Sequence, residues 1–251
     1  MRHFISIVIL ILSTYSAYAQ LSDADAFLNG TYDKTHIKKS KVKQVSVEIF
    51  IDGKKSTLYI FQFDNKGLLK KQTVFNSWRK KLSDFTFKYN KYGDQIERTK
   101  IDYELNKTSI VTFSKTYNGF FLVSEKSSQL PISTNYTYNS KGQIKEKFTL
   151  SSWDSINNAK RMSIYNYDTA GNLQTIKDLV INADGSTNLL ETTTFLYDTN
   201  GRIVSVLRDN ASTYYISYYS NCLIKSKRIK MPEDFGNLEI IENYTYSFWS
   251  K

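Results

Sequence analysis

Apolar and polar residues alternate along most of this chain, and a turn signal interrupts the alternation again and again. The stretch Phe195-Leu196-Tyr197-Asp198-Thr199-Asn200-Gly201-Arg202-Ile203 shows the unit most fully. It predicts a strand, a tight turn and a second strand. Asp suits the first turn position, because its carboxylate accepts backbone N–H groups just ahead of it. Gly three residues later supplies the left-handed conformation that turns a type I turn into a three-residue hairpin loop with a bulge. In that loop Asp198 faces Arg202. The predicted register then sets Tyr197 opposite Ile203, Leu196 opposite Val204 and Phe195 opposite Ser205, as favourable cross-strand pairs.

Other copies share the pattern. Asp64 with Gly67, Asn90 with Gly93, Asn139 with Gly142, Asp168 with Gly171 and Asp198 with Gly201 are the structural turn residues. Phe63 is set opposite Leu69, Tyr138 opposite Ile144 and Tyr167 opposite Leu173. After Phe87-Lys88-Tyr89-Asn90 the next apolar residue, Ile96, comes one place late, which predicts an extra bulge. Tyr117-Asn118-Gly119 is a shortened copy. Tyr218 to Ile224 is a degenerate one, with Cys222 where glycine belongs, and Tyr244-Thr245-Tyr246 reads as a final half unit. The turn glycines 67, 93, 119, 142, 171 and 201 step by 26, 26, 23, 29 and 30 residues. A period of that size marks an array.

The motif aromatic-x-Tyr-Asp-x-x-Gly-x-aliphatic resembles the YD repeat of the Rhs and teneurin-type proteins, over roughly residues 57–226. The resemblance implies a secreted β-structure, here in a short exported form, and carries over no catalytic residue. The copies here are spaced less regularly than in a long array. The chain is also too short for the large closed shells that such arrays build, and no toxin or protease module is recognisable.

Between units the chain turns back at the opposite edge. Candidate return turns are Asn76 to Arg79, Asn106-Lys107, Leu130-Pro131, Ser155 to Asn158, Ala183-Asp184-Gly185, Asp209 to Ala211 and Asp234 to Asn237, while Asp52-Gly53 is a two-residue hairpin signal. The result is an all-β antiparallel meander of about fourteen to sixteen strands. One face is aromatic, with Phe61, Phe63, Leu69, Tyr136, Tyr138, Ile144, Tyr165, Tyr167, Leu173, Phe195, Tyr197 and Ile203. The other carries Gln62, Lys70, Thr137, Lys145, Asn166, Gln174, Ser217 and Lys225; Leu196 and Val204 break the rule. No long stretch has helical periodicity, so the sheet must cover its own apolar face, as an open roll or a barrel with the aromatics inside.

The N-terminus bears on address. Met1-Arg2-His3, the apolar run Phe4 to Leu12 and Ala17-Tyr18-Ala19 have the form of a signal peptide cleaved to start at Gln20, with an uncleaved anchor or a buried strand as the alternatives. Residues 1–19 are then leader, 20–44 an N-terminal arm and 45–251 one β-hairpin repeat domain. Ser22 to Leu28 is a candidate helical turn, and Lys34, Lys38, Lys39, Lys41 and Lys43 read as a solvated arm or edge strand, with an anion site as the alternative. The address is periplasm, cell surface or extracellular.

The chemistry is sparse. Loss of Arg2 takes the formal charge from +10 to +9, a diffuse field that favours anionic partners. An exported address disfavours nucleic acid. The only cysteine, Cys222, falls in a turn with no His near it in sequence, and His36 stands in a Lys-rich segment. There is no phosphate loop, no metal-ligand spacing and no nucleophile elbow, so neither cofactor nor metal is expected. Trp78, Trp153 and Trp249 are candidate platforms for stacking on sugar rings, with rim or core packing as the alternative. The sequence therefore points to an exported non-enzymatic β-protein, a scaffold or a binding module for glycans or anionic envelope polymers. Two alternatives stay open: an integral outer-membrane barrel, and a glycan-active enzyme with a carboxylate pair across a cleft.

Overall fold

The structure, a computed structural model, describes residues 34–119, 121–128, 132–151, 160–209 and 212–250. The leader and its cleavage site, the Ser22 to Leu28 turn, Leu130-Pro131, Ser155 to Asn158 and Asn210-Ala211 lie outside them. A short helix α1 (Lys34–Lys39) leads into sixteen strands. The first eight are β1 (Val42–Ile51), β2 (Lys54–Phe63), β3 (Leu69–Phe75), β4 (Lys81–Tyr89), β5 (Gln95–Asp102), β6 (Lys107–Asn118), β7 (Phe121–Ser127) and β8 (Ile132–Tyr138). The rest are β9 (Ile144–Ser151), β10 (Lys160–Tyr167), β11 (Leu173–Ile181), β12 (Thr187–Tyr197), β13 (Ile203–Arg208), β14 (Thr213–Tyr218), β15 (Ile224–Lys230) and β16 (Glu239–Phe248). Each strand pairs antiparallel with its neighbours in sequence, and β16 pairs with β1, so the sheet is a closed barrel and not an open roll. Closure removes both sheet edges.

The half unit at the end of the chain is completed by the start of it. Tyr246 pairs with Val45 and Tyr244 with Val47, so β1 supplies the second strand that the Tyr244-Thr245-Tyr246 copy lacks. The seam continues past the strands, where the Trp249 amide donates to the Lys41 carbonyl at 2.8 Å. Sheet pairing thus begins at Val42, three residues before the expected boundary. The basic run is neither a free arm nor an edge strand: Lys34 to Lys39 is helical, and Ile37 is completely buried in the core. Lys41, at φ 53°, ends the helix and turns the chain into β1.

The repeat turns all lie at one rim and the return turns at the other. In the repeat turns the Gly201 amide donates to the Asp198 carbonyl at 3.0 Å, and the Asp198 carboxylate accepts the Asn200 and Arg202 amides at 2.9 Å each. Asp64, Asn90, Asn139 and Asp168 cap their turns in the same way. Cys222 occupies the glycine position at φ 66°.

The register departs from the sequence expectation by one residue. Tyr197 does face Ile203, but Leu196 then faces Ser205 and Phe195 faces Val206, because Val204 is bulged out. The same slip follows Leu69, Ile144, Leu173 and Ile224. The copy at Tyr89 has the common bulge and no additional one: Gln95 takes the aliphatic position, and Ile96 is 41% exposed. Lys70, Lys145, Gln174 and Lys225 are therefore bulge residues and not members of an outer row. A bulge at one place in successive hairpins bends and twists each by a similar amount, which is what closing a sheet requires.

The bulge has a second consequence. The carbonyl just before it receives the hydroxyl of the tyrosine in the next hairpin: Tyr89 donates to Leu69, Tyr138 to Leu122, Tyr167 to Ile144, Tyr197 to Leu173, Tyr218 to Ile203 and Tyr246 to Ile224, at 2.7–2.9 Å. Each of these six tyrosines thus packs inward with its ring and ties its unit to the one before with its oxygen, while Tyr117 donates to the Asp94 carboxylate instead. Phe63, with no hydroxyl, stands next to the seam, where the preceding repeat turn is missing.

Candidate functional site: the hydrated half of the lumen

The aromatic face points into the barrel, but the barrel is not filled evenly. On one side, from β14 through the seam to β4, Val45, Val47, Phe63, Leu69, Phe85, Phe87, Ile216, Ile224 and Tyr244 are buried around Ile37. Burial raises the pKa of Tyr244 well above its ordinary value, with Glu242 adding to the effect. This half is a dry core. Across the lumen, on β5 to β13, only Val111, Thr134 and Thr193 are buried among the described inward-facing residues. Tyr136, Tyr138, Tyr165, Tyr167, Phe195 and Tyr197 are all partly exposed, although they point inward. Water therefore reaches this half of the interior.

The bulges also decide what lines it. By shifting the parity of each strand after a repeat turn, they bring charged residues to the aromatic side. One continuous row crosses four strand pairs, Tyr136 beside Lys147, then Ser163, Asp178 and Glu191. The next row sets Tyr165 beside Ile176, Thr193 and Arg208. Arg98, Lys100, Lys115 and Glu125 face inward on β5 to β7. Counting outward from the turn glycines without the bulge assigns Glu146 and Phe148 to the interior in place of Lys147. The signal that survives in sequence lies on the strands before the turns, where Lys115 and Ser163 share parity with Tyr117 and Tyr165.

The carboxylates of this wall are engaged. Glu191 takes two hydrogen bonds from the Arg208 guanidinium, at 2.5 and 2.7 Å. Burial disfavours the Arg208 charge, but Glu191 and Tyr214 outweigh it and raise the pKa. The Ser163 hydroxyl donates to Asp178 at 2.5 Å, and Lys115 lies 3.6 Å from Glu125. Asp178 and Glu191 are direct register partners, an arrangement of like charges that costs stability in an ordinary sheet. Burial, then the charge of Asp178, push the Tyr165 hydroxyl up to about 12, so it is a neutral donor at physiological pH. Burial alone lowers the pKa of Arg98. Cations (Arg98, Lys100, Lys107, Lys115, Lys147, Arg161, Arg208) outnumber carboxylates (Asp102, Glu125, Asp178, Glu191) on this wall. With its rings and hydroxyls, the wall offers flat apolar platforms, hydrogen bonds and a positive field to whatever enters.

The tryptophans are not gathered here. Trp78 stands at the tip of the β3–β4 return turn, 87% exposed. Trp249 is at the opposite rim, 38% exposed, with the Lys43 ammonium 5.2 Å from its ring centre. Trp153 lies outside the described residues. Cys222 is exposed at the repeat-turn rim. Among the described residues no group of carboxylate, His and Cys side chains is arranged to hold a metal ion.

No protein-family model and no curated protein matches the sequence. Solved structures do match in shape. A porin-like protein from Bacteroides uniformis aligns with a TM-score of 0.52 at 9% identity, over 82% of this chain and 98% of its own. A porin-like protein from Bacteroides vulgatus gives a TM-score of 0.39 at 12% identity, covering 82% of this chain and 98% of its own. The Photorhabdus luminescens Tc holotoxin pore gives 0.31 at 13% identity, over 70% of this chain and 12% of that one. The first likeness shows the fold, an all-β closed barrel of porin-like shape.

Proposed function

We propose that this protein is an exported, non-enzymatic β-barrel of the cell envelope, built from YD-type hairpins, that binds an acidic glycan or a similar anionic envelope polymer in the hydrated half of its lumen. The observation that carries the reading is the asymmetry of the interior. A barrel that served only as a scaffold has no reason to leave Tyr136, Tyr165 and Phe195 wet beside Lys147 and Arg161 while filling the other half around Ile37. Ring faces suit sugar rings, and the surplus of cations suits carboxylate, sulfate or phosphate substituents. The signal-like N-terminus supports the address. The tyrosine hydroxyl ladder supports the YD-type unit, because it gives the motif's aromatic residue a task beyond packing.

The non-enzymatic reading is supported by the state of the lumen carboxylates: Glu125, Asp178 and Glu191 are held as described above, and Asp102 lies 3.0 Å from the Lys100 ammonium. The outer wall argues against an integral barrel. Glu48, Lys71, Lys88, Glu97, Lys126, Lys177 and Arg228 all face outward, where a membrane-spanning barrel needs an apolar band about 25 Å tall. No helix among the described residues is long and apolar enough to cross a membrane. Calorimetric titration of the purified exported chain with acidic and neutral oligosaccharides tests the proposal. Binding of the acidic set alone, abolished by Lys147→Glu with the fold intact, is expected; equal indifference to both sets would remove the glycan reading.

A further inference from the structure

The sheet is not paired equally round the barrel. β13 and β14 stand in register at two places, Ser205 with Tyr215 and Val206 with Tyr214. β7 and β8 share three such pairs, and every other pair of neighbouring strands shares at least five. The β13–β14 seam is also the border of the interior. β14 brings Ile216 to the dry core, while β13 carries Val206, half-buried beside Phe195, on the hydrated wall.

Each of these two strands is held more firmly by its other neighbour. β13 shares five register pairs with β12, where the Arg208 guanidinium also grips Glu191. β14 shares six with β15, and Ile216 anchors it among the buried side chains. Across the seam itself, side chains stand in for missing backbone pairs. The Ser205 hydroxyl donates to the Tyr214 carbonyl at 3.0 Å and the Tyr218 hydroxyl to the Ile203 carbonyl at 2.7 Å, with the Arg202 guanidinium 4.9 Å from the Tyr218 ring centre. Such bonds form and break singly, by rotation of one side chain. A segment with few backbone bonds is where a fold opens locally.

We infer that the β13–β14 seam is a lateral gate, through which an internal stretch of an anionic polymer reaches the hydrated half of the lumen. A closed barrel admits a long polymer only by its end; a sheet that parts along one seam admits any stretch of it. This use of the gate rests on the lumen reading above, whereas the opening itself rests on the strand pairing. The β7–β8 seam has the longer ladder and serves as the comparison.

The test locks the seam. Ser205 and Tyr215 are direct partners, so their Cα atoms stand about 4.5–5.5 Å apart, within the span of a disulfide. Ser205→Cys with Tyr215→Cys is made in the exported chain in a Cys222→Ser background, and Ser124→Cys with Asn135→Cys locks β7 to β8 in the same way. Loss of free thiol confirms each lock. Two readouts are taken in the oxidised and the reduced state: hydrogen exchange of the strand amides, and the association rates of labelled polygalacturonate and of a short oligogalacturonate. In the reduced state the amides that β13 and β14 turn toward each other exchange about tenfold faster than those between β11 and β12, and oxidation removes the difference. Oxidation also slows polygalacturonate about tenfold, leaves the oligomer unchanged and is reversed by reduction, because the gate and not the lumen then limits entry. The β7–β8 lock has neither effect. Equal exchange at the two seams, a locked seam that takes the polymer at the wild-type rate, or the same loss from the β7–β8 lock would each overturn the gate. Failure of both polymer and oligomer to bind the wild type would remove the lumen reading, and the exchange rates would then decide the opening alone.

Discussion

Replacing Tyr197 with Phe removes one oxygen and leaves the ring. The hydroxyl donates to the Leu173 carbonyl at 2.7 Å, across the boundary between two hairpins, from a half-buried position. A hydrogen bond of this kind contributes about 0.5–1.5 kcal/mol net, and the orphaned carbonyl is still reached by some water. The loss should therefore be about 1 kcal/mol, or about 2–4 °C of melting temperature for a chain of this length. The sites of the ladder lie on different hairpins and share no partner, so their effects should add. Phenylalanine at Tyr89, Tyr138, Tyr167, Tyr197, Tyr218 and Tyr246 together should remove about 6 kcal/mol, a large part of the usual stability of a domain. Denaturant melts of the single and the sixfold variant measure this, with Tyr92→Phe, at a turn tip and 76% exposed, as control. If Tyr197→Phe costs no more than Tyr92→Phe, the hydroxyl ladder does not hold the units together.

Two further outcomes follow from local geometry. Gly201 sits at φ 73° with open space where a Cβ would stand, so Gly201→Val should cost about 1–3 kcal/mol through backbone strain alone, while Cys222→Gly, relieving the same strain at φ 66°, should raise the melting point. Burial pushes the Asp84 carboxyl up, but hydrogen bonds from Lys81, Thr73, Tyr103 and Lys71 outweigh it and hold the group at about 2. A carboxyl lowered in the folded state stabilises above its unfolded value and loses that contribution as pH falls; Asp84→Asn should thus cost about 2 kcal/mol at pH 7, and the gap to the wild type should close between about pH 4 and pH 2 in acid titration melts.

Much of the architecture was legible because hairpin chemistry is local. Asp198 and Gly201 specify a turn, the turn specifies the pairing of Tyr197 with Ile203, and repetition specifies a meander. Closure was half legible: the unpaired Tyr244-Thr245-Tyr246 unit needed a partner, but that the partner is β1, about two hundred residues away in sequence, is a tertiary fact. The bulge was the point of failure. A type I turn with a left-handed glycine announces one bulge inside the loop; the slip one residue past the aliphatic position has no residue type of its own, since lysine (70, 145, 225), glutamine (174) and valine (204) all occupy it and each is common elsewhere on the strands. One missed slip exchanges the two faces of every strand that follows a repeat turn. That is why Lys147 and Asp178 were not recognised as lumen residues and why Val204 looked anomalous; Leu196, on the strand before the turn, faces outward and is 45% exposed. Ile37 was hidden for another reason: a single apolar residue in a basic run has no periodicity to reveal it.

The lumen, its hydration and the facing of the strands can be tested in one experiment. Single cysteines are placed by Asn166→Cys on the outer wall, Thr149→Cys on the hydrated lumen wall, where Thr149 pairs with Thr134 and Arg161, and Val47→Cys in the dry half, each in a Cys222→Ser background. Each is treated with a small charged thiol reagent and, separately, with a maleimide on a large polymer. The account predicts that Asn166→Cys reacts with both, Thr149→Cys with the small reagent only and Val47→Cys with neither. Rapid reaction of Thr149→Cys with the large polymer, or of Val47→Cys with the small reagent, would contradict a closed barrel with one wet and one dry half.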